Sequence, residues 1–239
     1  MFYGELRENR DVQIVDATAD VFKEFLKLFY FDKPNIEMVH IPDVLQLIRK
    51  YNVTGCIHYY DIILDRSITI DNVCWIYDLA LEFQMPLSKS HCERQISLKA
   101  EEIFQLGDFL ERSYETVFQI ISLNNFACGE YTIFKACITW AQEECLRDGL
   151  DQSDLLNIRK QLQGLLYQIR FRSMNSMHVG DVIREYHSLF TNDELADIAL
   201  IALSHSDPKT LISKEYRNNA WDPRELLLCN FFVLRRLSV

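Results

Sequence analysis

The sequence predicts a mostly α-helical protein, and three observations predict it. Apolar residues recur at spacings of three and four through most of the chain, the pattern that lays one apolar stripe along a helix. Only seven glycines and five prolines punctuate the 239 residues, too few turn formers for a protein built of short strands. One stretch, Val12-Gln13-Ile14-Val15 between Asp11 and Asp16, has the length and β-branched content of a strand.

The elements follow in order. The opening MFYGELREN puts Met1, Phe2, Tyr3 and Leu6 at helical spacing and reads as the last turns of a helix. After the expected strand, Thr18 caps a helix whose apolar face is Val21, Phe22, Phe25, Leu26, Phe29 and Tyr30, and Pro34 ends it. A second helix follows Pro42 through Val44, Leu45, Leu47 and Ile48 to Lys50-Tyr51, and a third runs from about Thr54 to Leu64. From Thr69 the texture becomes helical throughout. Val73, Trp75-Ile76, Leu79-Ala80 and Phe83 line one helix, and Pro86 opens the next, where its missing N–H costs nothing.

Ser113 starts a helix carrying Val117, Phe118, Ile120 and Ile121. After Gly129, Phe134, Cys137, Ile138, Ala141 and Cys145 trace a stripe beside Trp140, which reads as a core anchor. Ser153 is the expected cap of a helix through Leu155, Leu156, Ile158, Leu162 and Leu165-Leu166. Thr191 and Glu194 have the spacing of a capping box ahead of Leu195, Ile198, Ala199 and Ala202. Beyond Ser204 the pattern decays into SHSDPKTLISKEYRNNAWDP, so residues 204–239 read as an irregular tail.

Composition narrows the function classes. Thirty-five Asp and Glu outweigh 25 Lys and Arg, and phosphates are held chiefly by cations, so neither nucleic acid nor an acidic membrane is an expected partner. The longest apolar run, Leu226 to Leu234, is interrupted by Asn230 and falls far short of the roughly 20 residues a spanning helix needs. No secretory leader follows Met1, and the seven cysteines, odd in number and never in a C-x-x-C pair, read as buried thiols of a reducing compartment. The expected location is cytoplasmic.

Catalytic chemistry finds no footing. The sequence holds no glycine-rich phosphate loop, no G-x-S-x-G and no H-E-x-x-H, so no catalytic residue and no cofactor is assigned, and the chain is not expected to be an enzyme. His91-Cys92 reads as a surface histidine beside a core cysteine, since helical neighbours point about 100° apart. His178, His187 and His205 lack zinc-like spacing, so no metal is expected. The Glu101-Glu102 and Glu143-Glu144 pairs read as solvated faces. What remains is Leu6 and Glu8, an apolar residue and a carboxylate two apart, able to offer a partner one buried contact and one charge-assisted bond.

Three stretches in order, MFYGELREN, VQIVDATADVFKEFLKLFYFD and LIRKYNVTGCIHYYDIIL, resemble the second half of a BTB/POZ domain. TIFKACITWAQEEC and LLYQIRFRSM resemble the paired-helix BACK domain that follows BTB in many adaptors. The likeness covers residues 1 to about 203, and FYGEL with ITWAQEEC looks most like the subgroup that also carries a C-terminal PHR domain, with Kelch-type adaptors as near relatives. The resemblance implies the C-terminal half of an α/β BTB/POZ fold over 1–66, an all-α BACK domain of paired antiparallel helices over 67–203, and a tail over 204–239.

The same resemblance implies a substrate adaptor of cullin-3 ubiquitin ligases, with Leu6 and Glu8 on the apolar-x-Glu motif that contacts the cullin. Tyr51 falls on an aromatic that lines the same surface. The implied partners are cullin-3, other BTB proteins in a homo- or hetero-oligomer, and a protein substrate. The alternative is a non-ligase scaffold that pairs with full-length relatives, for instance in transcriptional complexes. Three departures stand out: the first half of BTB is not in the sequence, Arg172 stands where BACK domains carry proline, and no PHR or Kelch domain follows. Phe25, Leu26 and Phe29 are therefore expected to lack packing partners, and residues 1–66 to be less stable than the rest.

Overall fold

The computed structural model describes residues 14–15, 17–30 and 36–206. These form twelve α-helices with short 3-10 turns between them and, among the described residues, no strand. The mostly α fold class is as expected. Of the expected strand, Val12 and Gln13 lie outside the described residues, and Ile14 and Val15 sit in no regular element. The helices are α1 (Ala19–Lys27), α2 (Ile41–Lys50), α3 (Ile57–Ser67), α4 (Val73–Glu82), α5 (Pro86–Leu98), α6 (Ala100–Ile103), α7 (Gly107–Leu110), α8 (Tyr114–Ile121), α9 (Glu130–Arg147), α10 (Leu155–Leu162), α11 (Ser176–Tyr186) and α12 (Asn192–Ser206). The chain divides into two compact units, Met1–Ile68 with Ile76–His91, and Thr69–Trp75 with Cys92–Val239.

In the first unit α1 begins as the sequence requires: Thr18 accepts the Val21 amide at 3.3 Å, satisfying one of the four donors a helix start leaves open. Val21 and Phe25 turn inward and pack with α2, whose Ile41, Val44, Leu45, Leu47 and Ile48 are all buried. Leu26, Phe29 and Tyr30 stay exposed, whereas Phe25, expected to lack a packing partner, is buried. Helices α2 and α4 end alike. The Val53 amide reaches back to the Ile48 carbonyl and the Met85 amide to that of Ala80, both at 2.9 Å. The residues between, Asn52 and Gln84, take φ of 56° and 55°, the left-handed turn that closes a Schellman motif.

Helix α5 starts at Pro86, and its first free amides are met from α3. Asp61, 1% exposed, accepts from Leu87 N at 3.1 Å and Ser88 N at 2.8 Å. A carboxylate at a helix N-terminus satisfies both the orphan donors and the macrodipole. One turn further along, His91 sits half-buried against Asp65 at 3.0 Å, which corrects the expectation of a surface histidine. Cys92 is fully buried as expected.

The second unit uses the same device. Asp108 in α7 accepts from Cys74 N at 2.8 Å and Trp75 N at 3.1 Å at the start of α4. Burial pushes the Asp108 carboxyl above its ordinary range, opposed by these amides and by Arg112. Helix α9 carries the predicted stripe: Phe134, Cys137, Ile138, Ala141 and Cys145 are all buried, and Trp140 is an anchor whose Nε1 donates to the Arg112 carbonyl at 2.9 Å. The α9 end is a third Schellman turn, with Gly149 at φ 68° and the Leu150 amide bonded to the Cys145 carbonyl.

Helix α10 is capped by Asp154, not by Ser153 as expected. Asp154 accepts the Leu156 amide at 2.9 Å, while Ser153 donates to Asp151; a carboxylate already beside the first open amide outcompetes a hydroxyl one residue earlier. Asn175 caps α11, and the Thr191–Glu194 capping box forms reciprocally. Glu101 and Glu102 are exposed, whereas Glu143 and Glu144 are half-buried.

Candidate protein-docking site

The site is built around the end of α2. Pro42 and Asp43 occupy its first turn and Arg49 and Lys50 its last, which matches proline's preset φ and the charge preference of each helix end. The helix stops after Lys50. Tyr51 is the cap residue, its amide bonded to the Leu47 carbonyl at 2.9 Å, and Asn52 supplies the left-handed turn that asparagine tolerates better than most residues.

This geometry sends the Tyr51 ring back over α1. It stacks on Phe25 with centroids 5.4 Å apart and 29° between planes, and Phe29 meets Phe25 edge-on at 5.3 Å. Lys50 Nζ lies 5.4 Å from the Tyr51 centroid. Such contacts contribute about 0.5–1.5 kcal/mol each beyond area burial, enough to hold the ring while 40% of the residue stays exposed. A half-open aromatic held by its neighbours is a good contact point for another protein.

The same unit holds a groove of about 540 Å³ lined by Arg49, His58, Asp61, Glu82, Phe83 and Pro86 among others. Arg49 spans the wall, 5.2 Å over the Phe83 ring and 3.0 Å from Glu82, and Gln46 donates to Glu82 at 2.9 Å. The groove thus carries one exposed cation, one exposed carboxylate and an apolar floor. Both Asp61 oxygens already accept hydrogen bonds. Close by in α3, Tyr60 is fully buried and its hydroxyl has no partner among the described residues; burial pushes that hydroxyl above its ordinary value, with smaller contributions from Tyr59, Glu24 and Cys56. A lining of this kind offers another protein's side chain an ion pair and an apolar surface.

Of the three residues expected at the docking site, the structure places Tyr51; Leu6 and Glu8 lie outside the described residues. Phe25, which holds Tyr51 in place, carries no local signal, because its role depends on a contact with a residue in another helix. Asp61 had one: a carboxylate inside the apolar run of HYYDIIL. Among the described residues no three His, Cys, Asp or Glu gather as a metal site, and no helix is long and apolar enough to cross a membrane. His178 is instead stacked on Tyr131, centroids 4.4 Å apart.

Comparison with known proteins finds relatives. Residues 73–184 match the family model for BACK, "BTB And C-terminal Kelch". Human BTB/POZ domain-containing protein 3 is 29% identical over 179 residues, 73% of this chain and 33% of the relative. Human BTB/POZ domain-containing protein 6 is 27% identical over 242 residues, covering 92% of this chain and 44% of the relative; the Xenopus laevis protein of that name is 26% identical, with 92% and 45% covered.

The chain carries a BACK domain and is similar to BTB/POZ domain-containing proteins. It spans a third to under half the length of these curated relatives. The matched BACK stretch runs from the start of α4 to Arg184 in α11. Tyr51, Arg49 and His58 precede that stretch, whereas Glu82, Phe83 and Pro86 fall inside it.

Proposed function

We propose that this chain is a protein-interaction adaptor that docks cullin-3 and so serves a ubiquitin ligase complex in the cytoplasm. The BACK domain and the likeness to BTB/POZ domain-containing proteins support the adaptor role. The observation that carries the finer reading is the Tyr51 ring, half-exposed and stacked on Phe25 at the end of α2. Leu6 and Glu8 supply the apolar and the anionic contact in this reading, and burying Leu6 contributes about 1.5–3 kcal/mol. Other BTB proteins are its oligomer partners and the substrate is a protein. The adaptor itself transfers no group. A division near residue 66, with residues 204–239 as a tail, belongs to the same proposal.

The test is capture of the cullin-3 N-terminal region by the wild-type chain, a Leu6→Ala/Glu8→Ala variant and a Tyr51→Ala variant. Recovery falls at least about tenfold for each variant if the reading holds, the effect of roughly 1.4 kcal/mol. Equal recovery by all three removes cullin-3 and leaves an adaptor with another partner.

A further inference from the structure

We propose that the corner between α9 and α10 is a second docking face, and that it takes a basic amphipathic segment of another protein. The corner exposes three leucines: Leu146 is 50% exposed, Leu150 38% and Leu156 62%. They flank a turn whose backbone is fixed by the Schellman closure at Gly149 and by the Asp154 cap, so the apolar groups are displayed from a rigid frame. None belongs to the core, because the inward stripe of α9 is Phe134, Cys137, Ile138, Ala141 and Cys145.

The charge around these leucines selects the occupant. Asp148, Asp151 and Asp154 are exposed. Each is held in place by a neutral donor, Gln161 at 2.7 Å, Ser153 at 2.7 Å and the Leu156 amide at 2.9 Å. None of the three forms an ion pair among the described residues. Glu144, by contrast, is paired with Arg147, which also donates to the Leu110 carbonyl. Burial pushes the nearby Cys145 thiol up, and Asp148, Asp154, Glu144 and Asp151 add to it. The negative end of the 18-residue α9 points at the same corner. Apolar anchors set among fixed, uncompensated carboxylates suit a helix that carries leucine-like residues on one side and Lys or Arg beside them.

The probe is a fluorescent Leu/Lys amphipathic peptide, compared with an isosteric Leu/Glu peptide and titrated by anisotropy against the full chain. The Leu/Lys peptide binds, and its affinity drops about tenfold in Leu146→Ser/Leu156→Ser. A similar drop follows Asp148→Asn/Asp151→Asn, whose asparagines keep the local hydrogen bonds, and binding weakens as salt rises from about 0.05 to 0.3 M. Circular dichroism verifies that every variant is folded. The proposal is overturned if the Leu/Lys peptide fails to bind, if the Leu/Glu peptide binds equally, or if the leucine pair changes nothing, which marks mere charge adsorption. Self-association in sedimentation that the leucine substitutions abolish overturns it too, assigning the face to a second copy.

Discussion

The buried Asp61 carboxylate and Ser88 are joined three ways: Asp61 Oδ1 accepts from the Ser88 amide at 2.8 Å and from its hydroxyl at 2.7 Å, and the same hydroxyl lies 3.0 Å from the Asp61 carbonyl. With Leu87 N on Oδ2, one side chain of α3 closes the N-terminus of α5. Removing it strands several buried donors at once, and each unsatisfied group costs about 1–3 kcal/mol.

Asp61→Ala therefore lowers the unfolding free energy by about 3 kcal/mol or more, and Ser88→Ala by about 1 kcal/mol, since Leu87 and Ser88 keep their amide bonds in the second variant. The double variant costs much less than the sum, because the two residues share one network. Urea unfolding of the four proteins measures this; strict additivity contradicts the coupling.

Gln84 holds a left-handed conformation, φ 55°, that a residue with a Cβ adopts at a cost of about 1–2 kcal/mol. Gln84→Gly relieves that strain and loses part of the gain to the greater freedom of the unfolded chain, so a net stabilisation of about 0.5–1 kcal/mol is expected. Thermal unfolding reads it directly. Gly149→Ala, at φ 68°, moves the other way by a similar amount.

Glu194 links the start of α12 to α10, accepting from Arg159 at 3.0 Å, from Tyr167 at 3.2 Å and from the Thr191 amide at 2.8 Å. Burial raises its carboxyl, but the Thr191 amide, Arg159 and Tyr167 together carry it below the ordinary range. A carboxyl lowered on folding adds stability that is complete above its unfolded value, about 4.3, and is lost as pH falls through the folded value. Glu194→Gln is thus expected to be less stable than wild type at pH 7, and the gap to shrink as pH drops from about 5 to about 3. A gap independent of pH contradicts the linkage.

Much of the fold was legible because its signals are local. The 3.6-residue periodicity of α9, the Thr18 cap, the Thr191–Glu194 box and Pro86 at the head of α5 all act between residues within a turn of one another. The Ser153 expectation failed within that same range, because Asp154 beside it was the better acceptor. The docking site was legible only in part. Tyr51 could be singled out by resemblance, but Phe25 beneath it, Arg49 across Phe83 and His91 against Asp65 could not.

The sequence by itself determined the helical class, most caps and the apolar faces, since a helix is chosen by near neighbours along the chain. Tertiary structure alone decided which carboxylate closes which helix: Asp61 on α5 and Asp108 on α4 act across 26 to 34 residues. It also decided which apolar groups of α1 and of the turn after it would be buried, Phe25 going inward and Leu26 and Phe29 staying out. The reason is physical: hydrogen bonds and burial reward proximity in space, and chain folding brings together groups whose separation in sequence carries no record of that meeting.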